Sequence, residues 1–503
     1  MAKIAAFLVA GLGPSFGVAH VSGQPLPALN LASSNDYVVV SWTNAPFSVC
    51  DLETCEGLSP GSPWVSLGTP PVLSSSAALL SMAFQPTNEE QYFRLKGVWY
   101  RPIFSYAIFY SGLLEFTWCS PLVINGRVHC NADIYLGSTF SLAFNDLVTA
   151  VGSIASPAWD GKNASQYTGS ASFNAGYATN VYPVSTPLYT NRYSLIDLPP
   201  PGESPDSYVA VHRIYNQAQL VLLVSNANVI VLIRNGQPPG LDPSPVMMSF
   251  TNDASVLNPN LPFLCLSNTF IDQRESKNVL VTQIDVGTYG RWLRTNYWVQ
   301  LKGLLGGSPY STILYVADER TVNSSQLTAV RLTNGIAPPN GSAGFTLATH
   351  NPLYVLGSYN CTNAAFLNTT NTSTTAPCAL LSDALTILSP NWKDADSNKT
   401  FGPGVRKAAN TTVNAAVLTG SVPSTGPNLG QYSGGVCNLP RLLEDWTGCS
   451  LTLNGSLVSL YSSQRAVAQF QEPGGYYYAP TRSFSFDLNF QDLTKLPPGT
   501  PAF

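Results

Sequence analysis

Charge is what this chain has least of. Of its 503 residues only 10% are Asp, Glu, Lys or Arg, against about 25% in an average soluble domain. The 24 basic and 28 acidic residues leave a formal net charge of -4. No Lys/Arg cluster is present to follow phosphates, which argues against nucleic acid as a partner. Histidine is scarce too, with four residues, so a His-centred site has few options. No C-x-x-C occurs, which removes zinc-ribbon and thioredoxin-like readings. H-E-x-x-H and Walker A are missing, and neither G-x-S-x-G (whose letters recur at Gly13–Gly17 and Gly57–Gly61) nor G-x-G-x-x-G occurs in the strand-to-helix context that its chemistry needs; no cofactor is implied. No apolar run reaches the ~20 residues that a helix needs to span a bilayer.

What the chain has in quantity is Gly and Pro, 39 of each, together with Ser, Thr and Asn. Uncharged polar, aromatic and β-branched side chains suit half-buried pleated surfaces, and Gly, Pro and Asn suit the turns between them. The composition points to a mainly β protein. At this length it holds two to four domains of ~100–200 residues.

The start, Met1-Ala-Lys-Ile-Ala-Ala-Phe-Leu-Val-Ala-Gly-Leu, sets one Lys before a short apolar run. That is the pattern of a secretory signal, with residues 1–23 removed near Val21-Ser22-Gly23. The same run would also serve as a buried N-terminal strand or short helix. Export places the protein outside the cytoplasm, secreted or in the cell envelope. An oxidising compartment then allows local disulfides: Cys50 with Cys55, Cys119 with Cys130, Cys361 with Cys378 and Cys437 with Cys449, leaving Cys265 over. Scattered buried thiols are the other reading. The sequons at Asn163, Asn368, Asn371 and Asn410 mark polar loops.

Four textures follow one another. Residues 24–99 carry Tyr37-Val-Val-Val-Ser-Trp, Trp64-Val-Ser-Leu and Gln91-Tyr-Phe-Arg-Leu. These are short strands at sandwich-like spacing, and they predict an immunoglobulin-like β-sandwich with Trp42 and Trp64 in its core. Residues 100–199 break into very short strands punctuated by Gly or Asn, as an irregular β-solenoid (β-helix-like) requires; no fixed period is evident. Residues 200–345 carry longer apolar runs, Ala218-Gln-Leu-Val-Leu-Leu-Val and Asn228-Val-Ile-Val-Leu-Ile. Val286, Tyr289, Trp292 and Leu293 are at helical spacing behind an Asp285 N-cap, which predicts an inserted α/β domain. Solenoid texture returns over 346–503, with one short helix at Pro440-Arg-Leu-Leu-Glu-Asp-Trp.

The block Gly126-Arg-Val-His-Cys-Asn-Ala-Asp-Ile-Tyr-Leu-Gly resembles the G-x-V-H-S-N-G-x-I-Y segment of exported bacterial PilX-like, pilus-assembly-associated proteins. Asn351-Pro-Leu-Tyr-Val-Leu-Gly-Ser-Tyr-Asn, Asn414-Ala-Ala-Val-Leu-Thr-Gly, Pro440-Arg-Leu-Leu-Glu-Asp-Trp and Tyr478-Ala-Pro-Thr-Arg are similar too, and follow in order. Cys130 stands where that pattern has Ser, Ala132 where it has Gly, and no pilin leader is found. The resemblance implies a β-rich surface protein and carries over no site residues.

Few residues are left for chemistry. His129 and Asp133 share a strand face four residues apart, a possible pair. Otherwise His129 fills a solenoid turn, as His350 does in His350-Asn-Pro. Adjacent Asp318 and Glu319 point to opposite faces of a strand, a poor fit to the two facing carboxyls of a glycosidase. Asp394 and Asp396 alternate as hard-cation ligands do, or form a solvated loop. Glu444 and Asp445 sit on the short helix. Tyr476, Tyr477 and Tyr478 either stack on sugar rings or pack. The leading expectation is a structural, adhesin-like surface protein meeting a protein or glycan partner at the cell surface, without catalysis. The alternative is an extracellular polysaccharide lyase or hydrolase on a β-helix.

Overall fold

The computed structural model describes residues 3–6, most of 29–99, and 101–502. Within the last two ranges it omits 35–36, 45–47, 56–62, 68–77, 86–89, 118, 120, 156–168, 185–187, 189–190, 206, 235–243, 303–311 and 425–431. The protein is mainly β. It divides into two compact units, Met1–Pro102 with Ala502–Phe503, and Ile103–Pro501. Among the described residues no helix is long and apolar enough to cross a membrane.

In the first unit, Asn30–Ser34, Tyr37–Asn44 and Ala78–Phe84 form one antiparallel sheet. Ser48–Cys55, Val65–Ser66 and Glu90–Trp99 form most of a second. Strand alternation turns Val40 and Trp42 to the same side. There they meet Leu52, Phe93 and Leu95 in a buried core. Trp42 is in that core as expected, but Trp64 is only half-buried and carries the Arg94 guanidinium 4.3 Å over its ring. Lys3–Ala6 adds to the second sheet as a strand parallel to Glu90–Phe93. The expected cleavage position near Gly23 lies outside the described residues.

The second unit is organised by one twelve-stranded sheet. Its spatial order is Tyr177–Ala178, Val148–Ala150, Val128–Cys130, Ile108–Tyr110, Leu457–Ser459, Ala416–Thr419, Cys378–Ser382, Phe345–Ala348, Ile313–Asp318, Leu220–Val224, Asn228–Ile233 and Val246–Thr251. Neighbours from Tyr177–Ala178 through to Leu220–Val224 pair in parallel, and the last two strands turn antiparallel. Chain order and spatial order therefore differ. From Ile108 the chain steps outward to Ala178, returns to the far side at Leu220, and works back until Leu457–Ser459 lies beside Ile108–Tyr110.

Each step repeats on companion sheets. Val128 pairs with both Ile108 and Val148, and Ile134 with both Leu114 and Ile154, each twenty residues away. Leu142 likewise pairs with Leu122 before a longer step to Ala171. A twenty-residue period is thus present where none was evident in the sequence. Its signature is Leu122-Val-Ile-Asn, Leu142-Ala-Phe-Asn and Ala171-Ser-Phe-Asn. The Asn145 side-chain amide donates to Asn125 Oδ1 at 2.8 Å, and that of Asn174 to Asn145 Oδ1 at 2.6 Å. Phe144 stacks on Phe173 with centroids 5.1 Å apart. A second ladder joins the later strands: Asn414 donates to Asn360 O, and Asn454 to Asn414 Oδ1, both at 2.8 Å. The first ladder runs along an exposed edge, while the second satisfies polar groups of Asn360, Asn414 and Asn454 that are buried between layers. Each fully buried Val, Leu or Phe between layers adds about 1.5–3 kcal/mol.

Residues 200–345 do not stand apart as an inserted domain. Leu220–Val224, Ile313–Asp318 and Phe345–Ala348 all belong to the twelve-stranded sheet. Near-continuous apolar runs mark parallel strands buried on both faces, and they do not say which sheet buries them. The helix read at Val286 is present as Val286–Thr295, with Asp285 accepting from the Thr288 backbone N–H at 2.7 Å. The helix read at Pro440 is not. Pro440–Arg441 is a short strand beside Leu385–Thr386. Residues 439–446 are buried throughout, so the segment has no solvent face for a helix to present.

Candidate functional site

The turns that follow the parallel strands lie next to one another and gather the second unit's ionisable groups. Asp318 ends its strand fully buried, bonded to Thr282 Oγ1 at 2.8 Å and paired with Arg320 at 2.6 Å. The next residue, Glu319, turns outward and is 46% exposed. One layer on, Asn351 donates to Asp318 O and accepts from the Asp318 N–H. In the following layer Asp383 is wholly buried. Its carboxylate accepts the backbone N–H groups of Gln464, Arg465 and Ala466 at 2.5, 3.1 and 2.8 Å, and the Tyr193 hydroxyl at 3.0 Å.

Tyr193 belongs to the segment that carries the chain back from Ala178 to Leu220. That segment is tied along its course. Val184 exchanges two 2.9 Å hydrogen bonds with the Asn131 side chain. The single Tyr193 hydroxyl proton is shared between Asp383 Oδ1 and His350 O, each 3.0 Å away, and Ile196 O accepts from Tyr315. It acts as a strap along the layers.

His350 sits where strap and turns meet, 1% exposed. Its Nδ1 is 3.3 Å from Asp197 Oδ1 on the strap, and its Nε2 is 2.8 Å from Glu319 Oε1. The Glu319 oxygen has the distance but not the direction of a hydrogen bond, and the contact is an ion pair only with the ring protonated. Arg465 Nη2 lies 3.1 Å from the same Glu319 oxygen and 3.4 Å from His350 Nδ1. The contact with His350 holds the Glu319 carboxyl below its ordinary range against the opposing effect of burial, and Arg465 adds to it. Burial pushes Asp197 up, but His350, the Leu198 N–H and Arg213 together outweigh it and leave a net depression.

Depressed carboxyls stabilise a fold above their unfolded pKa of about 4, and the benefit is lost as the pH falls through the folded value. Both carboxyls are about half exposed, so E319Q will cost no more than about 1 kcal/mol at pH 7. The difference from wild type will vanish by about pH 3. Urea unfolding at the two pH values checks this, and a cost that persisted at pH 3 would place the effect elsewhere.

The other expected residues are scattered. His129 and Asp133 do not pair. His129 is bonded to Thr149 Oγ1 at 2.7 Å and Asn131 Oδ1 at 2.8 Å, while Asp133 accepts from the Ser153 backbone N–H at 2.7 Å. In a layered stack the partner of a turn residue is the next layer, twenty residues on. Asp394 is paired with Arg331 and Asp396 with Lys399, each at 2.6 Å. Their oxygens face different cations, so the pair does not form a calcium loop. Tyr476 and Tyr477 are buried and Tyr478 packs on Phe401. Among the described residues no group of His, Cys, Asp and Glu could hold a metal ion.

The expected local disulfides are not formed. Cys55, Cys119, Cys130, Cys361, Cys378, Cys437 and Cys449 are free thiols, as is Cys265, and the Cys50 side chain lies outside the described residues. Cys130 donates to Gly112 O at 3.0 Å, and its burial pushes the thiol up to about 12. Cys449 donates to Ala408 O at 3.3 Å. The thiol that interacts with Cys119 is that of Cys437, far along the chain. Pairing by closeness in sequence fails here for the same reason that the His129–Asp133 pair does.

Glu444 is fully buried and accepts the Ser389 N–H at 2.6 Å and its hydroxyl at 2.7 Å. Burial pushes its carboxyl up to about 7, against those hydrogen bonds and Arg406. A raised carboxyl favours the protonated fold, so this residue's contribution is complete below the unfolded pKa and is lost as the pH rises to about 7. The window corresponds to about 3 kcal/mol. E444Q should flatten the fall in stability between pH 5 and 8, a slope readable from denaturation midpoints. An unchanged slope would refute the assignment.

Two cavities stand out among the described residues. One is lined by Tyr110, Arg274, Ser421, Ser433, Asn438 and Arg441 among others. The other is mostly apolar, with Ile108, Leu122, Leu453 and Phe484 in its wall. Neither borders His350. Sequence reasoning assigned His350 to a turn and missed its partners, because Asp197 and Arg465 are 153 and 115 residues away. No local pattern encodes them.

No family model matches this chain, and neither does any curated protein or solved structure.

Proposed function

We propose that this chain is an exported structural protein of the cell surface, adhesin-like and associated with pilus or envelope assembly. Its second unit is read as a β-solenoid and its first as an immunoglobulin-like sandwich. The observation that carries this reading is the parallel, in-register pairing from Tyr177–Ala178 to Leu220–Val224, whose turn groups are taken up in contacts between layers. A stack of that kind is rigid and offers long lateral surfaces, which suits display and adhesion. The partner is a protein or a glycan at the surface.

One observation favours the polysaccharide-active alternative: Asp197 and Glu319, both partly exposed, converge on one imidazole. Against it, the His350 ring fills the space between them. Facing carboxyls that act on a glycosidic bond must leave that space to the substrate. The purified full-length chain, tested against acidic and neutral polysaccharides, should bind without releasing reducing ends or unsaturated products. Product release that E319Q abolishes would establish the enzyme instead. Failure of the protein to appear in the envelope or medium would remove the surface reading altogether.

A further inference from the structure

The pocket walled by Tyr110 and Ser421 holds two guanidinium groups. Arg441 is partnered: Nη1 donates to Glu275 at 2.8 Å and Nη2 to Ala466 O at 2.8 Å. Arg274 is not partnered in the same way. It sits at the tip of the hairpin joining Thr269–Asp272 to Lys277–Asp285, and is only 7% exposed. Its Nε and Nη2 share a single acceptor, Ala468 O, at 3.3 and 3.2 Å. Among the described residues no carboxylate lies in ion-pair range of Arg274, and its Nη1 has no hydrogen-bond partner. The buried Tyr110 hydroxyl, on the same cavity wall, also lacks a partner among them.

The nearby carboxylates are committed elsewhere. Asp272 accepts from Tyr354 at 2.6 Å, Glu275 holds Arg441, and Glu115 accepts from Ser433 at 2.8 Å. Glu275 and Asp272 favour the Arg274 charge through space, but burial and the neighbouring Arg441 charge outweigh them and depress its pKa to about 10.

We propose that this cavity is a binding site for a small oxyanion, with the Arg274 fork and the Tyr110 hydroxyl as its donors. A planar guanidinium and a hydroxyl lining one pocket suit the separated oxygens of a sulfate, phosphate or carboxylate group. The wall draws on both parts of the chain that the stack joins. Tyr110 comes from the strand beginning the outward run, and Ser421, Asn438 and Arg441 from the returning run. A bound anion therefore ties the two together.

The source of the oxyanion is either a free ion or the acidic group of a glycan. Calorimetric titration of the full-length chain with sodium sulfate, and separately with a sulfated monosaccharide and a uronic acid, distinguishes the two. Chloride at matched ionic strength serves as the reference. Saturable binding is expected, weakened about tenfold or more in R274M, in keeping with the loss of a charge-assisted bond, and less in Y110F. Binding of sulfate alone identifies a free ion, and binding of the sugars an acidic glycan. The thermal midpoint should also rise with sulfate in wild type and not in R274M. Without anion, R274M should be at least as stable as wild type, since it removes a desolvated charge that no carboxylate bonds. No saturable binding, or equal binding by wild type, R274M and Y110F, overturns the proposal. Surface adhesion and lodgement in the envelope do not depend on it, so failure here leaves that reading standing.

Discussion

Replacing Asp383 by alanine is expected to cost about 3–5 kcal/mol of folding stability, the range for removing one partner of a buried charged network. Its carboxylate is wholly buried and accepts three successive backbone N–H groups, from Gln464 to Ala466, besides the Tyr193 hydroxyl. Alanine leaves three backbone donors without this acceptor, each carrying its own desolvation penalty of about 1–3 kcal/mol, while the Tyr193 hydroxyl keeps His350 O. D383N keeps one acceptor but turns an N–H toward a backbone donor, so its loss should be intermediate. Because Tyr193 holds the strap, D383A should also expose residues 188–205 to limited proteolysis before the rest of the chain. Denaturation midpoints within about 1 kcal/mol of wild type would mean that Asp383 does not bind the layers together.

Gly455→Ala should be comparably damaging for a steric reason. A Cβ at position 455 would meet the Ala415 carbonyl oxygen at 1.9 Å and its carbon at 2.5 Å. Both contacts are with backbone, in the adjacent layer. No rotamer relieves them, so Thr411–Asn414 and Ser450–Gly455 must separate and lose paired hydrogen bonds. Overpacking of this kind costs about 1–3 kcal/mol, and more where the backbone must give way. Gly402, with open space around it, is the control: Gly402→Ala should be near neutral. Equal behaviour of the two variants would deny the close approach of the layers.

Local features were legible in the sequence. The strand at Tyr37, the buried Trp42 and the Asp285-capped helix follow from period and cap chemistry, which neighbouring residues carry. The partners across layers were not. Asn125, Asn145 and Asn174 recur after Leu-Val-Ile, Leu-Ala-Phe and Ala-Ser-Phe, but three copies with an unequal last step are easily missed. Cys119 and His350 show the deeper difficulty. Cys119 meets Cys437 because the returning run docks on the beginning of the outward one, and His350 meets Asp197 and Arg465, each more than a hundred residues off, because the strap crosses the layers. Sequence distance then carries no information about spatial distance. For Pro440-Arg-Leu-Leu-Glu-Asp-Trp, Pro and the charges suggested a helix start. Burial on every side, which decided for extended chain, is a property of the surroundings and not of the segment.

The central claim is that Ile108–Tyr110 and Leu457–Ser459 are neighbours in one sheet. The most direct measurement is hydrogen–deuterium exchange resolved to single amides. The Leu457 N–H donates to Ala107 O, and the Ser111 N–H to Ser459 O, both at 2.9 Å across the joint. The account predicts that these two amides exchange as slowly as the Val417 N–H, which bonds Ser456 O inside the returning run. If instead they exchange at the rate of unpaired edge amides while Val417 stays protected, the two runs are separate stacks and the account is wrong.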